Sequence, residues 1–317
     1  MLAAPEGVRL PPETGSLVVT GANGHLGQRL LRRLSGQRSL RAIVRSQRAA
    51  DQIRAMALSP PPTVSILDYA DTPTLTQALQ GCTHAVHLVG ILKENATSRY
   101  EDAHERSTRA LADAAGAAGL ERVVYLSIVG SQPDADNACL ASKGRAEEIL
   151  LSAATPALIL RVPMVLGEGD YASRALFRRA RARAAWLTRG GTRREQPVYA
   201  EDVVEAIVAG IASADLDNVC IDLAGPESLP HRQLVARAAT AAGLPGPRVV
   251  PLPYAVSCGV AWAFERFLAN PPITRPMLGV LDHEDTVDTR TARERLGIEL
   301  TPLDEMLRRC MDPESER

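Results

Sequence analysis

The stretch Val18-Val-Thr-Gly21-Ala-Asn-Gly24-His-Leu-Gly27-Gln-Arg-Leu-Leu31 carries the plainest chemistry: an apolar run enters a glycine turn, which opens an amphipathic helical pattern. Glycines at this spacing suit a pyrophosphate. Gly21 permits a tight turn, Gly24 lets the backbone approach the phosphates, and Gly27 lets the helix pack closely on the strand. Asn23, Gly24, His25 and Leu26 then present the N–H groups of a helix start to the anion. The spacing is GxxGxxG rather than GxGxxG, and the glycines alone would also suit a simple turn; the strand before them and the helix after them favour the phosphate site. At Val44-Arg45-Ser46-Gln47-Arg48 the end of the next apolar run is basic, where an NAD site places an acid for the ribose 2′-OH. Arg45, helped by Arg48, either pairs with a 2′-phosphate or is a solvated loop arginine. The first alternative favours NADP(H) as cofactor, with NAD(H) as the other candidate.

Elements able to hold such a turn follow along the chain. From Leu17 to about Val162, short β-rich runs alternate with amphipathic helical stretches; the runs are 17–20, 40–44, 64–67, 85–89, 123–126 and 158–162. This alternation predicts an α/β fold, a Rossmann-type doubly wound parallel sheet with a smaller C-terminal substrate lobe. Ser98 with Glu101 fits a capping box, and Thr72-Pro73 fits an N-cap followed by proline at the first helical position. After Pro163 the alternation loosens into a short strand at 197–199, a helix capped by Asp202 with Glu205, a strand at 220–223 and a helix near 234–242. The expected division is a loose N-terminal extension over 1–15, a dinucleotide-binding domain over 16–163, and a mixed α/β lobe over 164–317 that returns elements to the main sheet.

Composition bounds the remaining classes. With 317 residues, 45% of them hydrophobic, the chain can bury one large core or a core plus a small lobe. Lys+Arg 36 against Asp+Glu 37 leaves a net charge of -1, so no overall field gathers nucleic acid, which is not expected as a partner. Five cysteines, Cys82, Cys139, Cys220, Cys258 and Cys310, include no CxxC pair. Their odd number argues against a disulfide framework, their spacing argues against a metal site, and a reducing cytoplasmic setting fits. The opening MLAAPEGVRLPPETGS lacks the apolar core of a signal peptide. The apolar run from Pro251 stops at Glu265 and Arg266, short of the roughly 20 residues a bilayer span needs.

Taken together, Thr20-Gly-Ala-Asn-Gly-His-Leu-Gly27, Asp68, His87-Leu-Val-Gly90, Lys143, Arg161-Val-Pro163 and Pro197-Val-Tyr-Ala-Glu-Asp202 resemble the extended and atypical short-chain dehydrogenase/reductases. The chain is most similar to bacterial relatives of the nucleotide-binding accessory subunit of respiratory complex I. The resemblance runs from about Leu17 to the Leu296-Gly297 region. It implies that Gly21, Gly24 and Gly27 line the pyrophosphate, that Asp68 contacts the adenine amino group, and that Leu88, Val89 and Gly90 pass beside the adenosine ribose. It also implies that Lys143 hydrogen-bonds the nicotinamide ribose and that Pro163 and Met164 lie beside the nicotinamide. Read without the family, Asp68 could cap a turn and Lys143 could be an exposed helix lysine.

Active reductases of this superfamily carry Tyr-x-x-x-Lys on one helix face, the lysine lowering the phenol's pKa for proton exchange with a carbonyl or alcohol. The matching stretch here is Cys139-Leu-Ala-Ser-Lys143. A thiol has a shorter reach, so little ordinary ketone-reductase activity is expected. Cys139 is inert packing, a redox-sensitive thiol or a substitute acid. Ser127 lies where these enzymes place a substrate-polarising hydroxyl, or else satisfies the backbone at a strand end.

Two functions are therefore carried forward. One is an NAD(P)(H)-dependent oxidoreductase or isomerase on a small carbonyl or alcohol; the other is a non-catalytic regulatory, assembly or respiratory-complex accessory protein. The arginines from Arg174 to Arg194 either attract an anionic substrate, headgroup or acidic partner, or form a solvated face. A helix over 251–268 is expected to pack above the substrate cleft, where an apolar ligand or peripheral contact with the inner membrane is an alternative to ordinary core packing.

Overall fold

The computed structural model describes residues 15–311, so the expected N-terminal extension falls outside the described residues except for Gly15. The first half alternates β1 (Ser16–Thr20), α1 (His25–Leu34), β2 (Leu40–Val44), α2 (Gln47–Arg54), β3 (Thr63–Ile66), α3 (Thr72–Leu79), β4 (Cys82–His87), α4 (Ser107–Ala118), β5 (Arg122–Ile128), α5 (Ala138–Leu151) and β6 (Ala157–Val162). The second half runs β7 (Val165–Leu166), α6 (Tyr171–Ala180), β8 (Ala184–Thr188), β9 (Arg194–Glu195), β10 (Val198–Tyr199), α7 (Ala200–Ala212), β11 (Val219–Asp222), β12 (Leu229–Pro230), α8 (His231–Ala241) and β13 (Arg248–Leu252). It closes with α9 (Tyr254–Phe267), α10 (Arg275–Leu281), α11 (Arg290–Leu296) and α12 (Leu303–Cys310).

Seven strands form one parallel sheet in the order β11-β6-β5-β4-β1-β2-β3. This is the Rossmann-type doubly wound order with an added edge strand. Alternation along β1 shows how the sequence builds two layers. Leu17 and Val19 pack with Leu30, Leu31 and Leu34 of α1 and Val203 and Ile207 of α7, whereas Val18 joins Leu75, Leu79 and Leu111 on the other face. A third apolar cluster, with Leu176, Phe177, Leu234, Val235, Met306 and Leu307, is the core of the C-terminal lobe. The order reverses between β1 and β4, and the crevice beyond their carboxyl ends is where such sheets bind ligands.

Several local expectations need correction. The N-cap of α3 is Asp71, whose carboxylate accepts from Thr74 N, and Thr72 is already helical. Ser98 caps nothing: its backbone pairs with Asn95, and a wide π-type turn over Glu101–Arg106 precedes α4. The carboxylate of Glu94 accepts from Tyr100 N at that entry. α7 begins at Ala200, so Asp202 lies inside its first turn, buried and bonded to Thr301 N and Oγ1. β4 ends at His87, two residues early, which releases Leu88, Val89 and Gly90 as loop.

Gly27 is set by packing. A Cβ there would lie 2.6 Å from the carbonyl oxygen of Ala22, a backbone atom with little room to move. Gly27→Ala is expected to cost about 1–3 kcal/mol, the usual range for overpacking, read as a lowered urea midpoint with an unchanged slope. An unchanged midpoint would mean that α1 does not pack on β1 as described.

Candidate functional site

A cleft of about 700 Å³ opens at the switch point. One wall consists of the glycine turn, Leu88 and Gly90, Leu126 and Ser127, Lys143, and Pro163 with Met164; the other comes from α6, α8, β9 and the segment around α10. The lining is mostly apolar, which suits an organic ligand oriented by a few polar groups.

Gly21 takes φ +68°, and its N–H donates to the Tyr69 hydroxyl (3.1 Å), which in turn donates to Ile43 O (3.1 Å). Gly24 is the N-cap of α1; its N–H donates to Gly21 O (3.0 Å), and no side chain caps the helix. The first turn of α1 holds no acidic residue and no side-chain cap, which leaves its N–H groups to a ligand. The only close neighbour of a Cβ built on Gly24 is Gly21 O at 3.3 Å, so the position has backbone exposed toward the cleft and room beyond it. This cradle fits the diphosphate of a dinucleotide. Asn23 is tied in beside it: its carbonyl accepts from Gln28 Nε2 (2.8 Å), and its amide reaches Gln52 Oε1 (3.5 Å). His25 and Leu26 line the cleft. His25 also clasps the opposite lobe, its Nδ1 lying 2.9 Å from Asp170, one turn before Arg29 meets Glu168 (3.0 Å) and Glu201 (2.6 Å).

The residues expected around the adenosine are less closely gathered. Arg45 is exposed at the end of β2, its guanidinium 5.8 Å from the centre of the Tyr69 ring. Asp68 is exposed after β3, and its Oδ1 accepts from Ala70 N (3.0 Å), the turn-capping geometry. Neither is part of the cleft lining. Leu88 and Gly90 are, whereas Val89 points into the core.

Deeper in, Lys143 on α5 is buried, donates to Leu126 O (2.9 Å) and lies 4.4 Å from the Tyr125 ring centre. Burial lowers its ammonium to about 8. Ser127 lines the cleft, its hydroxyl 3.4 Å from that of Ser131. Cys139 does not line it. The thiol is fully buried, points at Ile91 O (3.7 Å), and is pushed up to about 11 by burial, so it is no thiolate near neutrality.

Sequence reasoning gave no role to four histidines, although His87 stood in the motif after the fourth strand. His87 and His104 are buried behind Lys143: His87 Nδ1 is 2.6 Å from Thr20 Oγ1, and His104 Nε2 accepts from Ile91 N (3.1 Å). Burial, followed by the Lys143 charge, lowers them to about 3 and about 2. On the far wall His231 meets Glu195 (2.8 Å) and His283 meets Asp285 (3.1 Å), all four lining the cleft beside Arg178 and Arg179. A signal existed only for the arginines, whose charge run was visible. The helix over the cleft is also not the one expected. Pro272, Ile273, Met277, Val280 and Leu281, in and before α10, cover it, whereas α9 buries only Ala261. Among the described residues no His, Cys, Asp or Glu group could hold a metal ion, and no helix is long and apolar enough to cross a membrane.

Comparison with known proteins agrees with this geometry. Residues 21–212 match the family model described as NAD(P)H-binding. A ceramide reductase of Caulobacter vibrioides is 28% identical over 197 residues, 62% of this chain and 60% of that protein, so the match spans less than two thirds of that relative. Subunit 9 of the NADH dehydrogenase [ubiquinone] 1 alpha subcomplex, mitochondrial, of Arabidopsis thaliana is 26% identical over 295 residues, 90% of this chain and 73% of the subunit. Among solved structures, a nucleoside-diphosphate-sugar epimerase from Pseudomonas aeruginosa superposes with TM-score 0.71 at 20% identity, covering 94% of this chain and 97% of that one. The UDP-glucuronic acid 4-epimerase of Bacillus cereus gives 0.72 at 17%, covering 93% and 98%; at these identities the likeness speaks for the fold alone. The glycine turn, the uncapped α1 and the family match lead to one conclusion: this chain belongs to the NAD(P)H-binding family, consistent with its resemblance to the atypical short-chain dehydrogenase/reductases.

Proposed function

We propose that the chain is an NADP(H)-dependent oxidoreductase acting on a carbonyl or alcohol group of a largely apolar compound. The observation that carries this reading is one continuous cleft, which leads from the uncapped start of α1, past Ser127 and Lys143, to the apolar side chains of α10. In this reading Gly21, Asn23, Gly24, His25, Leu26 and Gly27 hold the diphosphate, Arg45 the 2′-phosphate, and Asp68 with Leu88, Gly90 and the backbone of Val89 the adenosine. Lys143 holds the nicotinamide ribose, with Pro163 and Met164 beside the ring. When bound in reduced form, the cofactor supplies hydride to a carbonyl carbon. Lys143, fixed by Leu126 O, has further N–H donors for ribose hydroxyls. Ser127 polarises the carbonyl, and Cys139 packs without a role in proton transfer. The name of the Caulobacter relative supports an apolar substrate.

The burial of Cys139 supports a second reading, in which the cofactor is held but not turned over, as in an accessory subunit docked to a respiratory complex or to the inner membrane surface. Following NADPH oxidation with short- and long-chain aldehydes, ketones and quinones separates the two. Turnover supports the first; tight NADPH binding with none across the panel supports the second.

Cofactor preference has its own test. A charge-assisted pair between Arg45 and a 2′-phosphate contributes about 1.5–3 kcal/mol. Arg45→Ala should therefore weaken NADPH binding by about 10–100-fold and leave NADH binding within about twofold. Equal effects on both, by calorimetry, would remove Arg45 from the 2′-phosphate site.

A further inference from the structure

With Cys139 walled off, the cleft lacks an acid at the usual place, yet its far wall holds an oriented imidazole. Asp285 is fixed at both ends of its backbone, its N–H donating to Arg194 O (3.0 Å) and its carbonyl accepting from Ser228 Oγ (2.7 Å). Its carboxylate holds His283 Nδ1 at 3.1 Å, which leaves Nε2 as the free vertex of the ring. That vertex lies against the loop leaving β5. A Cβ on Gly130 would be 2.8 Å from Nε2, so the imidazole occupies the space a side chain would need, and Gly130 takes φ +82°. β5 thus carries Ser127 on the cleft wall, and His283, from the segment after α10, stands against Gly130 three residues further along. His283 and Asp285 both line the cleft, and the imidazole is 38% exposed, open to a ligand.

We propose that His283, oriented by Asp285, is the proton donor of this cleft, serving an aldehyde or ketone carbonyl placed between it and Ser127. The inference rests on the oxidoreductase reading above. Hydride addition moves the carbonyl π pair onto oxygen. That oxygen takes the Nε2 proton, an O–H bond forming as the N–H bond breaks, and the neutral imidazole regains its proton from water. A carboxylate behind Nδ1 stabilises the imidazolium, and the hydrogen bond to Asp285 raises the His283 pKa above the ordinary 6.5. Glu284 raises it as well and Arg193 opposes them. Across the same space lie Arg178 and Arg179 of α6, Glu195 of β9, His231 of α8 and Lys143 of α5. The His231–Glu195 pair, bonded at 2.8 Å, lines the cleft too, but its two side chains bond to each other rather than to β5 and the loop that bears Gly130.

The test uses the full chain and its His283→Gln and Asp285→Asn variants, each checked for folding by circular dichroism and for NADPH affinity by calorimetry. Affinity should stay within about threefold, because neither residue belongs to the glycine-turn cradle. General acid catalysis contributes ~10²–10⁴-fold, so His283→Gln should lose that much kcat on a carbonyl the wild type reduces. In the wild type, the alkaline limb of kcat/KM should coincide with the His283 titration seen by imidazole NMR. In Asp285→Asn both should move to lower pH together. If the wild type turns over but His283→Gln keeps kcat within threefold, or the limb does not move in Asp285→Asn, His283 is not the donor, and a persisting limb near pH 8 points to Lys143 instead. If the wild type binds NADPH and reduces no carbonyl, the oxidoreductase reading falls and this proposal falls with it.

Discussion

Replacing Gly24 by valine is expected to weaken NADPH binding by about 10²–10⁴-fold while leaving the protein folded. Hydrogen bonds from backbone N–H groups to a charged phosphate contribute about 1.5–3 kcal/mol each, and branched methyls at the N-cap of α1 would hold the diphosphate away from at least two of them. The loss is thus about 3–6 kcal/mol, at 1.4 kcal/mol per tenfold. The fold should tolerate the change, because a Cβ at Gly24 meets only Gly21 O at 3.3 Å, whereas one at Gly27 meets Ala22 O at 2.6 Å. The two glycines therefore separate binding from packing: Gly24→Val should lower the urea midpoint less than Gly27→Ala does, yet it alone should weaken NADPH binding by about 10²–10⁴-fold. Retained NADPH affinity in Gly24→Val would place the diphosphate elsewhere.

Stability should fall steeply as the medium is acidified from pH 6 to pH 4. His87 and His104 are held at about 3 and about 2 in the folded chain, against an ordinary 6.5 when exposed. Below pH 6.5 the unfolded chain takes up two protons that the folded chain refuses. Each contributes about 1.4 kcal/mol of destabilisation per pH unit, until the folded-state pKa is reached. Two histidines over two pH units remove about 5 kcal/mol, comparable with the entire stability of many domains. Lys143 sharpens the effect, since its charge opposes a second cation in the same buried space. Urea midpoints at pH 7, 6, 5 and 4 read this directly. The double variant His87→Gln with His104→Gln should flatten the slope by close to two protons, even if its stability at pH 7 is lower. A wild-type protein equally stable at pH 6 and pH 4 would contradict the burial of these rings.

How far the sequence could be read depended on the range of the interactions involved. β1, β2 and β6 were legible because buried parallel strands are near-continuous runs of Val, Ile and Leu, and the glycine turn because its strand and helix are adjacent in the chain. Boundaries failed by local competition: Asp71 caps α3 more readily than Thr72, and Glu94, six residues before Tyr100, takes the bond expected of Ser98. The C-terminal wall was not legible. His231 meets Glu195 across 36 residues, and His283 stands against Gly130 only because the chain after α10 folds back over the end of β5. The longer apolar run of α9 drew attention as a cover, yet it leaves Val256, Val260, Trp262 and Phe267 exposed while the shorter α10 lies over the cleft. Nothing in Cys139-Leu-Ala-Ser-Lys143 indicates that its first residue points into the protein; the turn of α5 after its Asn137 cap decides that.

A nicotinamide dinucleotide is expected to lie along one cleft, from the start of α1 to Lys143. A crystal structure of the chain grown with NADPH tests that most directly. The expected result is density for the diphosphate on the N–H groups of Gly24, His25 and Leu26, with the nicotinamide ribose in reach of Lys143 Nζ and the ring beside Pro163 and Met164. Diphosphate density away from the α1 N-terminus, or a nicotinamide turned out of the cleft with Lys143 untouched, would contradict it.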